Sequence, residues 1–311
     1  EKMKLFSVLA ILALASPAAA FLVSKSFAPA LKPAMKNSVN LHLGSRSGRQ
    51  GVRFELAMSG RVPFIAGNWK MNPETVEQAL DLAKTVAGLK AKTQAQVAVF
   101  VPHPFIAAVR PILEGAGIEV GAQSCFAEQR GAYTGATSTS MIKSVGGKHV
   151  LVGHSERRSV FKYTDEMING MVHKALKDGL CPILCIGETK EEYESKLNKQ
   201  ICAVHLSKGL KGVTKEQMKR VTVAYEPVWA IGTGLVCDPE TAQDVHAFVR
   251  SWLTSMYDAE TAAGVRIQYG GSVTPESVDD LMAKPDIDGC LVGGASLDPA
   301  KFARIIAYIP K

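Results

Sequence analysis

The chain has 311 residues, 47% of them hydrophobic, and a formal net charge of +7; that apolar content is ordinary for a globular protein and too high for a disordered one. The charge is not spread evenly: residues 1–60 hold eight Lys/Arg against two acids, leaving 28 basic and 27 acidic residues from 61 onward. A near-neutral remainder carries no electrostatic footprint of a polyanion binder, so no nucleic-acid partner is expected.

The first sixty residues read as an address. After Met3 and Lys4 come the eleven mostly apolar residues "LFSVLAILALA" and the small-residue stretch "SPAAA", the order of a secretory signal peptide. The run is too short to span a bilayer, and no membrane association is expected of the mature form. Residues 21–60 then hold six Lys/Arg, six Ser and a single acid, as organellar transit peptides do. Signal followed by transit, with Phe21 directly after the small-residue site, resembles the two-part plastid presequences of algae. The expectation is a plastid stromal protein, with another organelle or secretion as the alternative, and a domain of residues 61–311.

From residue 61 a unit recurs. Short apolar runs stand at 62–67 (VPFIAG), 96–101 (QVAVFV), 117–122 (GIEVGA), 149–153 (HVLVG), 181–187 (CPILCIG), 221–226 (VTVAYE), 265–270 (VRIQYG) and 289–294 (GCLVGG). Most are apolar at successive positions, as parallel strands covered on both faces require. Their spacing, about 32 residues, is the size of a strand plus a returning helix. Helices are predicted over 73–89 with Pro73 in the first turn, over 164–179 from Thr164 to Gly179, over 238–257 behind Asp238 and Pro239, and over 274–283. Eight such units in about 250 residues fit a closed (β/α)8 barrel; a doubly wound open sheet is the competing arrangement.

Six cysteines occur without a C-x-x-C pair. Cys181 and Cys185 share a strand face at about 13 Å, too far to bridge, and the set reads as free thiols. Cys125 and Cys237 are the two candidates for redox control.

Polar residues gather where the apolar runs end. Asn68 and Lys70 follow the first run, His154, Ser155 and Glu156 the fourth, and Glu226 the sixth. Gly270, Gly271 and Ser272 follow the seventh, and Gly293 and Gly294 end the eighth. In a barrel these ends share one face. A carboxylate, an imidazole and an ammonium together suit proton transfer beside an oxygen that carries transient charge. Glycine pairs let backbone amides approach a phosphate. Lys70 as a Schiff-base nucleophile lacks a neighbour that would suppress its charge, and a non-catalytic barrel would not need Glu226 and His154 at all.

Six motifs, "GNWKMN" (67–72), "VGHSERR" (152–158), "LCIGE" (184–188), "AYEPVWAIGTG" (224–234), "YGGSV" (269–273) and "LVGGASL" (291–297), occur in an order that resembles the triosephosphate isomerase family across residues 62 to 310. That family is a standard worked case of a carboxylate base, a neutral imidazole electrophile and a closing loop. The resemblance implies interconversion of triose phosphates through an enediol(ate), with no cofactor and no metal. It implies Glu226 as base, His154 as neutral electrophile, Lys70 stabilising charge and Asn68 placing the substrate oxygen, supported by Ser155 and Glu156. Gly232, Ser272, Gly293 and Gly294 match the phosphate-binding positions. Pro227, Val228 and Trp229 match a stiff leading hinge, and Ala230, Ile231, Gly232, Thr233 and Gly234 the tip of a lid. The resemblance further implies a homodimer, with Thr134 on the loop that reaches the partner's site. Two departures stand out. Leu235 replaces the usual Lys behind the lid. Ala136 replaces the Glu that pairs with the first Arg of "SERR", so Arg157 needs another partner.

Overall fold

The computed structural model describes residues 60–89, 93–233 and 237–309. The address assigned to residues 1–60, save for Gly60 itself, lies outside the described residues, as do Gly234 and Leu235.

Eight strands form one sheet: β1 (Phe64–Asn68), β2 (Gln96–Val101), β3 (Glu119–Ala122), β4 (His149–Val152), β5 (Cys181–Ile186), β6 (Thr222–Tyr225), β7 (Arg266–Tyr269) and β8 (Gly289–Val292). Each pairs in parallel with the next, and β8 pairs back onto β1, Phe64 opposite Gly289 and Gly67 opposite Val292. The sheet is closed, so the open doubly wound alternative is excluded and the fold is a (β/α)8 barrel.

The continuous apolar runs are explained by two cores rather than one. Phe64, Ala66, Ala98, Phe100, Leu151, Ile183, Cys185, Ala224 and Leu291 fill the barrel. Their neighbours along each strand, among them Ile65, Val97, Val99, Val150, Leu184, Val223 and Ile267, face the helices and join the outer core. Alternate side chains point inward and outward, and both directions are apolar because both faces are covered.

The floor of the barrel is polar. Gln96, Glu119, His149 and Arg266 each open a strand or stand first in it. Glu119 accepts from Gln96 Nε2 at 2.5 Å and meets His149 Nε2 at 2.8 Å. Arg266 donates to Gln96 Oε1 and lies over the Phe64 ring, 4.7 Å from its centroid. The network supplies partners for charges that could not otherwise be buried.

The helix ends expected at Thr164, Gly179, Asp238 and Pro239 are present. Thr164 accepts from Met167 N, Gly179 takes φ 88°, and Asp238 caps a helix beginning at Pro239. Two starts differ from expectation. The first helix begins at Val76, not in the turn holding Pro73: Gln78 N donates to Thr75 Oγ1 at 3.3 Å while Gln78 Oε1 accepts from Thr75 N, a reciprocal cap three residues further on. The helix expected over 274–283 spans only Val278–Met282. Thr274 and Ser277 exchange side-chain bonds with each other's backbone amides at 3.0 and 3.3 Å, closing a turn before the helix begins.

The described cysteines are free. Burial pushes the Cys125 and Cys237 thiols up to about 12, far from the thiolate that oxidation chemistry requires. Among the described residues, no helix is long and apolar enough to cross a membrane, and no cluster of His, Cys, Asp and Glu could hold a metal ion.

Candidate active site

The carboxyl ends of the strands surround a cleft of about 830 Å³. Asn68, Lys70, His154, Ser155, Glu156, Glu226, Gly232, Ser272, Gly293 and Gly294 all line it. Residues spread over more than 220 positions of sequence are thereby brought to one place.

Asn68 ends β1 and is buried, its Oδ1 accepting from Lys70 N at 3.0 Å and its Nδ2 lying 3.3 Å from His154 Nε2. Lys70 takes φ 54°, a left-handed conformation that a non-glycine residue adopts only under constraint. The constraint comes from both ends of the residue: Gln123 donates to the Lys70 carbonyl at 2.7 Å, and Nζ meets Glu156 Oε1 at 2.6 Å. The ammonium is thus aimed into the cleft by Glu156, which a flexible lysine stem could not achieve alone.

His154 stands between β4 and the short helix Ser155–Ser159. Its Nδ1 accepts from the backbone N–H of Glu156 at 3.2 Å. A ring nitrogen that accepts carries no proton, so the hydrogen of this tautomer belongs to Nε2. Nε2 lies 3.0 Å from Glu226 Oε1.

Glu226 follows β6 and is 2% exposed. Its N–H donates to Ile186 O at 2.7 Å, continuing the ladder with β5, and Pro227 restricts it to an extended backbone. Its other oxygen accepts from Ser155 N at 2.8 Å. Gly187 and Gly270 make room for it. A Cβ at Gly187, where φ is +151°, would lie 1.8 Å from Glu226 O, and one at Gly270 would lie 2.9 Å from Glu226 Cγ.

Pro227, Val228, Trp229 and Ala230 form a turn after the carboxylate, buried except for the half-buried Val228, which lines the cleft. Val228–Ala230 is a 3-10 helix, Ser272 Oγ donates to Ala230 O at 2.7 Å, and Thr233 Oγ1 donates to Trp229 O at 2.6 Å. Ile231 and Gly232 reach the cleft, and Gly232 is exposed with φ 69°. Thr134 lies on an exposed loop and does not line the cleft of its own chain.

Glu188 carries a part that its motif did not reveal. It ends the β5 run as Glu226 ends the β6 run, it is fully buried, and its Oε1 accepts from Trp229 Nε1 at 2.7 Å and Tyr225 Oη at 3.0 Å. Burial raises its carboxyl above the usual range, against the pull of the Trp229 bond. It ties the hinge to the barrel. Arg157 donates to Tyr163 Oη at 2.5 Å and lies 4.2 and 4.6 Å from the Phe161 and Tyr163 ring centroids. The partner expected for Arg157 is thus aromatic, through cation–π contact.

The family model described as triosephosphate isomerase matches residues 63–309. Among similar proteins, the triosephosphate isomerase of Carboxydothermus hydrogenoformans is 49% identical over 246 residues, covering 79% of this chain and 98% of that one. That of Moorella thermoacetica is 48% identical over 248 residues, covering 80% and 99%. That of Chloroflexus aurantiacus is 45% identical over 249 residues, covering 80% and 99%.

Proposed function

The chain belongs to the triosephosphate isomerase family, and from that premise we propose that it interconverts dihydroxyacetone phosphate and D-glyceraldehyde 3-phosphate through an enediol(ate). The observation that carries the reading is the meeting of the Glu226 carboxylate with the His154 imidazole at 3.0 Å inside a cleft that also holds the Lys70 ammonium.

Glu226 is the base. It removes the proton alpha to the carbonyl and returns it to the neighbouring carbon. Its bonds to Ser155 N–H and His154 hold it at rest and break when a substrate oxygen takes its place at the imidazole. His154 acts as the neutral electrophile: with Nδ1 occupied as an acceptor, Nε2 donates to the oxygen on which charge develops. Lys70, aimed by Glu156, opposes the same charge, and Asn68 places that oxygen. The amides near Gly232, Gly293 and Gly294, with the Ser272 hydroxyl, receive the phosphate. Closing the Pro227–Gly234 lid excludes water, which protects the intermediate from loss of phosphate.

The dimer belongs to the same proposal. Met71, Tyr133, Val160 and Phe161 are large apolar residues left exposed in the single chain, and Thr134 follows Tyr133 in sequence; a second copy that covers such side chains removes their apolar area from water. Plastid delivery through residues 1–60 is proposed from their composition alone, and imaging a fluorescent fusion in an algal cell tests it.

The activity is tested by following dihydroxyacetone phosphate incubated with the chain by proton NMR. The reading requires approach to the equilibrium mixture with glyceraldehyde 3-phosphate at a rate proportional to protein. A rate no faster than buffer overturns it.

A further inference from the structure

One aromatic contact beside the cleft has no part in the chemistry described so far. Tyr193 lies in the short helix Lys190–Glu194, and its ring stacks on the Trp229 indole, centroids 4.1 Å apart and planes 22° from parallel. The two residues come from different loops, one after β5 and one after β6. The helix caps itself and begins four residues after β5 ends: Thr189 Oγ1 accepts from Glu192 N, Glu192 Oε2 accepts from Thr189 N at 2.8 Å, and Tyr193 packs against the outer core to which Trp229 itself belongs. Trp229 is therefore held twice, at its edge by Glu188 and on its face by Tyr193.

The state being held is the one that admits substrate. The cleft of about 830 Å³ is far larger than a three-carbon phosphate needs, Gly232 is exposed, and Glu226 is still bonded to Ser155 N–H. We propose that Tyr193 is a positioning residue for the isomerase reaction, its stack on Trp229 setting the balance between the admitting and the closed arrangement. The inference rests on the functional reading above. Bringing Gly232 onto the phosphate turns the hinge at Pro227–Trp229, while Tyr193 stays with the barrel, so the rings part. A contact made in one state only biases the equilibrium by its full worth. Stacks of this kind shift an equilibrium about two- to tenfold.

The test compares the parent chain with Tyr193→Leu, which keeps apolar packing without an aromatic face, and Tyr193→Phe, which keeps the ring. The measurements are kcat, KM and the inhibition constant of glycerol 3-phosphate, a three-carbon phosphate without the reacting carbonyl. Tyr193→Leu should bind this inhibitor two- to tenfold more tightly, with a lower KM and a kcat reduced by slower reopening, while Tyr193→Phe matches the parent. A residue with only a packing role would lose activity without tightening the inhibitor. Unchanged or weaker inhibition of Tyr193→Leu, or a Phe variant that behaves like the Leu variant, overturns the inference while leaving an active parent and its function standing. A parent without isomerase activity overturns the functional reading, and the inference falls with it.

Discussion

Replacing Gly187 with alanine tests how the barrel places its base. The added carbon would lie 1.8 Å from the Glu226 carbonyl oxygen, 2.7 Å from the carbonyl carbon and 3.2 Å from Cα. An unstrained carbon–oxygen contact begins near 3.3 Å, so the two backbones must part by about 1.5 Å. They are tied together by the 2.7 Å bond from Glu226 N to Ile186 O and by Val228 N to Glu188 O at 3.1 Å, so the displacement reaches the base and its hinge. A misplacement of about 1 Å at a reacting group lowers the rate roughly 100-fold. The overlap costs about 1–3 kcal/mol, and the positive φ, which only glycine holds without strain, about 1–3 kcal/mol more. The expected outcome is a stability loss on the order of 2–6 kcal/mol in urea unfolding. With it comes a fall in kcat/KM of about two orders of magnitude per folded molecule in a coupled isomerase assay. Gly212→Ala is the comparison: φ there is +76° and the nearest atom to a new Cβ is 3.4 Å away on His173, so stability should fall with kcat unchanged. Parent-like stability for Gly187→Ala, with kcat/KM within about threefold of the parent, would refute the reasoning.

Three further outcomes follow from groups away from the base. The Glu119 carboxyl is held down to about 2, chiefly by its hydrogen bond with His149; a lowered acid stabilises the fold above its unfolded value and loses that contribution as pH falls through the folded one. Unfolding free energy should therefore drop between pH 4.5 and 2, and Glu119→Gln should flatten that part of the profile; an identical slope in the variant contradicts this. Arg250 bonds Asp286 at 2.5 Å and Asp288 at 2.7 Å with little exposure; Asp288 keeps Arg61 at 2.6 Å, so Arg250→Ala strips the ion pair from Asp286 alone, leaving it Gln243, and should lose about 3 kcal/mol, the low end for breaking a buried pair. An unshifted urea midpoint would count against that. Because Cys125 and Cys237 are buried with thiols near 12, iodoacetamide at pH 8 should leave both unlabelled and activity intact; labelling of either with loss of activity would restore the redox expectation.

Much of this was legible in the sequence because parallel barrel strands announce themselves. A run such as "PILCI" is apolar at every position since Ile183 and Cys185 fill the barrel while Leu184 and Ile186 meet helices. The polar residues behind such runs could be read as one cleft because strand direction alone decides which ends converge. Glu188 escaped for a physical reason. Followed by "TKEEYE", it looks like the acidic lead-in to an exposed helix, and only Trp229 and Tyr225, 41 and 37 positions away, reveal it as the buried tie of the hinge. The polar floor escaped likewise. Gln96, Glu119, His149 and Arg266 each resemble the solvated edge of an apolar run, and they become one network only when the sheet closes. The two late helix starts were hidden because reciprocal caps at Thr75–Gln78 and Thr274–Ser277 outweighed the prolines that seemed to mark the first turn.

The central claim is that Glu226 moves the proton, and kcat for glyceraldehyde 3-phosphate measured on the chain and on Glu226→Gln addresses it most directly. Glutamine keeps the size and the cleft but cannot accept a proton, so turnover should fall by at least about three orders of magnitude, on the scale of losing a general base. Inhibition by inorganic phosphate should stay near the parent value. A variant that retains most of the parent turnover, with phosphate binding intact, would show that some other group is the base.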